Sequence, residues 1–155
     1  MKIISALMLL LLSNFVYCVE IDKNILTKNS WECKTPFEDT NSGMKISSIS
    51  TETLHVNGKA TSSGFVKIKF LNLQDEVIYK ENTNYTWELS GKKIILKLQN
   101  LDLVNLSHPF LDEIINLKSL YQSGYATSLD FIEFSKDKIT LEDKINKIRI
   151  FCNAK

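Results

Sequence analysis

Apolar residues recur at every second position through most of this chain, and that period of two restricts its fold more than any other feature. Trp31 and Cys33 alternate with Glu32 and Lys34, and Leu54 and Val56 flank His55. Val66, Ile68 and Phe70 share one face, with Lys67 and Lys69 on the other. Tyr85, Trp87 and Leu89 alternate with Thr86, Glu88 and Ser90; Ile94, Leu96 and Leu98 face inward while Lys97 and Gln99 face out. Near the end, Ile139 and Leu141 alternate with Thr140 and Glu142, and Ile148, Ile150 and Cys152 with Lys147 and Arg149. Asn57-Gly58 and Ser90-Gly91 stand where turns belong. Short strands with one apolar face and close turns predict antiparallel pairing around one buried side.

One segment departs from this period. Ser107-His108-Pro109 precedes Phe110, Leu111, Ile114, Ile115, Leu117 and Tyr121, with Asp112 and Glu113 in the first turn and Gly124 beyond the last. Early proline, acidic first turn and terminal glycine predict an amphipathic helix from Pro109 to Ser123, packed across the strands.

The N-terminus predicts the compartment. Met1-Lys2 is a short basic start and Ile3 to Leu12 is apolar apart from Ser5, the pattern of a secretory leader. Its apolar run of about ten residues is short of the roughly 20 that span a bilayer. Val16 and Cys18 suit the −3 and −1 positions, so residues 1–18 read as the leader and residues 19–155 as the mature domain. The alternative is a lipid-bearing Cys18, against which Tyr17 argues, because that position is normally small in bacterial lipoproteins. The expectation is an exported chain, periplasmic or extracellular.

Of three cysteines, removal of Cys18 leaves Cys33 and Cys152, an even pair in an oxidising compartment that reads as one disulfide. Bonded cysteines need Cα atoms within about 7 Å, so the bond would set the first strand beside the last. An up-and-down sheet curled into a barrel does this, and closure also removes the open edges that invite aggregation; a sandwich can bring the same strands together. The expected fold is mainly β, an antiparallel up-and-down barrel of about eight strands with one amphipathic helix.

Composition narrows function mostly by exclusion. The 155 residues are 44% hydrophobic and 24% charged, ordinary for one globular domain. Net charge is +1, and loss of Lys2 with the leader makes the mature chain neutral, leaving no basic footprint for nucleic acid. No later stretch predicts membrane insertion. Two isolated histidines, His55 and His108, and no CxxC motif predict neither a metal centre nor a catalytic constellation. No cofactor is implied, and an enzyme is not expected. Glu52, Asp75-Glu76, Asp112-Glu113 and Glu142-Asp143 read as solvated acids on turns or outer faces. Asn84-Tyr85-Thr86 and Asn105-Leu106-Ser107 match the glycosylation pattern.

The order of these signals resembles that of the lipocalin-like β-barrels of small bacterial extracytoplasmic proteins. Leu26 to Trp31 resembles their opening Leu-x-Gly-x-Trp, without the glycine and one residue longer. The strand ending Thr53-Leu54-His55-Val56-Asn57-Gly58, the run from Tyr85 to Ile94 and the run from Ile132 to Leu141 are similar to later motifs of that group. The resemblance implies a barrel and a binding protein, not a particular ligand.

On that reading Trp31, Ile68, Phe70, Tyr85, Trp87 and Leu96 are the candidate ligand-binding residues, lining a cup for a small apolar molecule. The same side chains suffice to fill a small barrel as plain core. The alternative function is an inhibitor or immunity protein that blocks a partner enzyme through its loops or helix. Ser123-Gly124-Tyr125 is similar to the Ser-Gly loop of periplasmic lysozyme inhibitors.

Overall fold

The computed structural model describes residues 21–39, 43–70, 75–113 and 124–155. The leader and most of the expected Pro109–Ser123 helix lie outside those residues. The elements in chain order are α1 (Lys23–Lys28), β1 (Ser30–Asp39), β2 (Met44–Leu54), β3 (Lys59–Lys69), β4 (Val77–Ser90), β5 (Lys93–Asn105), a 3-10 turn (Pro109–Glu113), β6 (Ala126–Phe134), β7 (Lys138–Asp143) and β8 (Ile148–Ala154). Each strand pairs antiparallel with the next and β8 returns to β1, so the sheet closes into an eight-stranded up-and-down barrel, as the alternation predicts.

The seam is covalent. Cys33 and Cys152 are direct partners across β1 and β8, with Cα atoms 4.0 Å apart, and are bonded over a separation of 119 residues.

The short helix α1 closes one end, and the period of two gave no sign of it. Asp22 caps it by accepting from the Asn24 amide at 2.8 Å. Leu26 thus lies in α1 and not on the first strand, which starts at Ser30. Its side chain is only 1% exposed, and its carbonyl accepts from Trp31 Nε1 at 3.0 Å. Across the same end, Trp87 Nε1 donates to the His55 and Lys59 carbonyls at 3.0 and 3.1 Å, clasping the β2–β3 turn. Gly58 adopts φ 79° in that turn, a conformation side chains resist, and its carbonyl accepts from the Trp87 amide. Val56, expected to face inward with Leu54, is instead 72% exposed, because the chain has already left β2 and turned.

A bulge sets which residues enter the other half. Tyr85 pairs with Leu98 but Asn84 with Asn100, so Gln99 is an extra residue in β5. A one-residue slip exchanges the two faces of a strand. Past the bulge Leu101, Leu103 and Asn105 point in, whereas the parity of Ile94, Leu96 and Leu98 would have turned Asn100, Asp102 and Val104 inward.

Among the described residues all eight strands join in one continuous wall only at the α1 end. Strand β5 meets β6 through Lys93–Lys97, and β1 meets β8 through Trp31–Lys34. Beyond those residues the wall is a five-stranded extension of β1 to β5, over which the 3-10 turn lays Leu111 against Ile68, Val77 and Tyr79. Asn105 anchors that crossover: its Oδ1 accepts from the His108 amide at 2.9 Å, and its Nδ2 donates to the His108 carbonyl at 2.7 Å. Asn105 is therefore buried and fully engaged, which removes it as a glycan acceptor. The hydroxyl of Tyr79 donates to Asp112 Oδ1 at 2.9 Å; burial first, and then this bond to a carboxylate, pushes its pKa up to about 12.

Candidate functional site

The apolar interior is split into two clusters. One gathers Leu26, Trp31, Leu54, Trp87, Ile94 and Leu129 around the disulfide, with Tyr85 and Leu96 packed against it. The other holds Ile68 and Phe70 with Val77, Tyr79 and Leu111. The six candidate binding residues are thus divided: Trp31, Tyr85, Trp87 and Leu96 lie in the ring, Ile68 and Phe70 in the extension. Both indole N–H groups are already committed to backbone carbonyls.

What separates the clusters is polar, and it lies on inward-facing positions of three neighbouring strands. Two rows of cross-strand partners define it. The first runs Trp31, Glu52, Ser62, Thr83, Leu101 across β1 to β5, and the next runs Cys33, Ser50, Gly64, Glu81, Leu103. Ser50, Glu52, Ser62, Glu81 and Thr83 therefore occupy positions that a solid core would fill with apolar groups. They sit where the complete ring gives way to the extension. Reading Glu52 as a solvated surface acid is corrected here: it follows the parity of Leu54 and points into the barrel.

Gly64 lets the strands meet at this point. A Cβ there would lie 2.6 Å from Ser50 Cα and closer still to the Ile49 carbonyl, so β2 and β3 approach each other in a way only glycine permits.

The hydrogen bonding of the patch is incomplete. Ser50 Oγ donates to Glu52 Oε1 at 2.6 Å, and Ser62 Oγ donates to the same oxygen at 2.7 Å. Ser62 Oγ is 3.4 Å from Glu81 Oε1, and with one proton to give it serves Glu52 first. Among the described residues no lysine, arginine or histidine pairs with either carboxyl. Both glutamates are half-buried, whereas Ser50, Ser62 and Thr83 are buried. Thr83 is only 3% exposed, and among the described residues its Oγ1 has no hydrogen-bond partner.

Burial pushes the Glu52 carboxyl above the usual carboxylate range, against the Ser50 and Ser62 hydroxyls that favour its charge. Burial also raises Glu81, and the neighbouring Glu52 charge raises it further. Each holds its proton more tightly folded than unfolded, so from about pH 4.5 up to the folded pKa the native state carries more protons than the unfolded chain. Stability from this pair is therefore complete below about pH 4.5 and declines as the pH rises through the folded values, by at most about 1.4 kcal/mol per pH unit per proton. Asp143 acts in the opposite sense: burial pushes it up, but the Asn146 side chain and the Asn146 and Ile145 amides outweigh that and hold it low. Its contribution is lost only as the pH falls below the ordinary aspartate value of 3.8. Chemical denaturation from pH 4.5 to 9 should show falling stability in the native sequence and a flatter profile in Glu52→Gln.

Thr83→Val tests the unmated hydroxyl. An unsatisfied buried polar group costs about 1–3 kcal/mol, so this near-isosteric change should stabilise the free protein by about 1 kcal/mol in a thermal melt. A loss of stability would mean that the hydroxyl has a partner.

Other candidate residues remain scattered. His55 is exposed in the β2–β3 turn, and the His108 ring meets the neighbouring Ser107 hydroxyl and the Phe110 ring. Among the described residues no three His, Cys, Asp or Glu side chains converge as metal ligands, and no helix is long and apolar enough to cross a membrane. No protein-family model matches the chain, and no curated protein is similar enough in sequence to count as a relative.

Proposed function

We propose that this is an exported, non-enzymatic binding protein of lipocalin-like build that takes a small, largely apolar ligand into the barrel, across the boundary between ring and extension. One observation carries the reading: a polar patch with a buried, unmated Thr83 hydroxyl faces inward between two apolar clusters. Ligand sites of this class are mostly apolar with a few placed polar groups, and five polar residues at core positions weaken the fold unless something uses them. The disulfide and the basic-apolar start of the chain support export. Mass spectrometry under native conditions, on protein isolated from its own envelope or medium, tests the proposal. A small molecule retained on the chain and lost on denaturation is expected; protein that is bare in every preparation speaks against it.

A second reading, inhibition of a partner enzyme, is favoured by the outside of the barrel. Phe151, Lys34, Ile49, Phe65, Lys80 and Val104 form one continuous outward row across six strands. The four apolar members are 40–50% exposed. An exposed row of this kind suits a protein surface. In the same mass spectra, a stoichiometric protein partner in place of a small molecule supports this reading.

A further inference from the structure

We propose that Glu52, Glu81 and Thr83 together recognise the ammonium group of an amphipathic amine whose apolar part lies along the inward faces of β4 and β5. This rests on the reading that the barrel holds a small ligand, and adds the chemistry of the ligand's polar end.

The patch is rich in acceptors, and among the described residues no cationic side chain pairs with it. Its hydroxyl protons from Ser50 and Ser62 are directed at Glu52, which leaves Glu81 and the Thr83 oxygen without a dedicated donor. An ammonium group has three donors and no acceptor, and these three side chains supply that complement. A ligand carboxylate would instead meet two acidic side chains. A neutral alcohol brings one proton, too few for the set.

Two independent features point to the same group. Among the described residues the carboxyl pair has no counter-charge, and the threonine beside it, opposite Ser62 and two residues from Glu81, is buried without a hydrogen-bond partner. Leu101 and Leu103 stand across from Thr83 and Glu81 on β5, giving an apolar wall next to the charge. A metal ion fits less well, because a hard cation such as calcium takes six to eight oxygens and, among the described residues, no third acidic side chain joins the pair.

Calorimetric titration of the oxidised mature protein with hexylammonium, hexanol, hexanoate and calcium chloride separates the possibilities. Hexylammonium should bind at least about tenfold more tightly than hexanol, equivalent to about 1.4 kcal/mol, with hexanoate weakest and no calcium binding. Glu52→Gln and Glu81→Gln should each remove most of that preference while leaving hexanol unchanged. Thr83→Val, expected to fold at least as well as the native sequence, should weaken hexylammonium several-fold. Hexanol or hexanoate binding as tightly as the amine, or a preference that survives in the double glutamine variant, overturns the ammonium assignment and leaves the small-ligand reading in place. Calcium binding that hexylammonium cannot displace assigns the pair to a metal and overturns it also. If none of the organic probes binds, both the assignment and the reading beneath it fail.

Discussion

Replacing Cys33 and Cys152 together by alanine should lower stability by about 2–5 kcal/mol, a large part of what a domain of this size has. The bond spans 119 residues, and for such a loop the chain-entropy model gives about 5 kcal/mol, an upper figure. Two consequences add up. The unfolded chain regains the freedom that the cross-link removes, and the seam where β1 meets β8 falls back on the four residue pairs of a short ladder. Both sulfurs also lie in the ring cluster, so their removal leaves space beside Trp31 and Leu26. The melting midpoint should fall by about 10–20 °C, measured with and without reductant on the native sequence as control. A fall of only a few degrees would show that the ladder and α1 close the barrel unaided.

Gly64→Ala should destabilise the protein by about 2 kcal/mol or more, a larger loss than the same change at Gly91. A new methyl group would press on the backbone of Ile49 and Ser50, which cannot yield as the end of a flexible side chain can. Overpacking costs about 1–3 kcal/mol, occasionally more, and the entropy that alanine removes from the unfolded chain returns less than about 1 kcal/mol. Because Ser50 donates to Glu52, displacement of β2 should also disturb the polar patch. Denaturant unfolding of Gly64→Ala beside Gly91→Ala, a turn glycine with nothing within 4 Å of the new methyl, separates crowding from backbone strain. Equal effects of the two changes would contradict the close approach of β2 and β3.

The barrel was legible in the sequence because alternation and the cysteine pair act at the level of whole strands. Ile68, Trp87, Ile94 and Cys152 announce an inward face whatever surrounds them, and a bond between Cys33 and Cys152 leaves few places for the first and last strands. The polar patch was not legible for the same reason. In β2 the inward set Met44, Ile46, Ser48, Ser50, Glu52, Leu54 is apolar only at its ends, and the three polar residues in the middle interrupt the alternation where the patch lies. A signal was nevertheless present: counting back by twos from Leu54, Ile68 and Tyr85 turns Glu52, Ser62, Thr83 and Glu81 inward. The default that acids and serines face water hid it. The bulge at Gln99 left no such mark, because nothing local distinguishes Asn100 and Asp102 facing out from the same residues facing in. Helix α1, at six residues, is too short for a helical period to emerge.

Methyl-resolved NMR during titration with hexylammonium tests most directly whether the interior patch is the binding site. The Thr83, Leu101 and Leu103 methyl groups line the patch from inside, while those of Ile49 and Val104 lie on the outer row. The largest shifts should fall on Thr83, Leu101 and Leu103, and Glu52→Gln should suppress them. Shifts concentrated on Ile49 and Val104, with Thr83 unmoved, would place binding on the outside of the barrel and contradict the account.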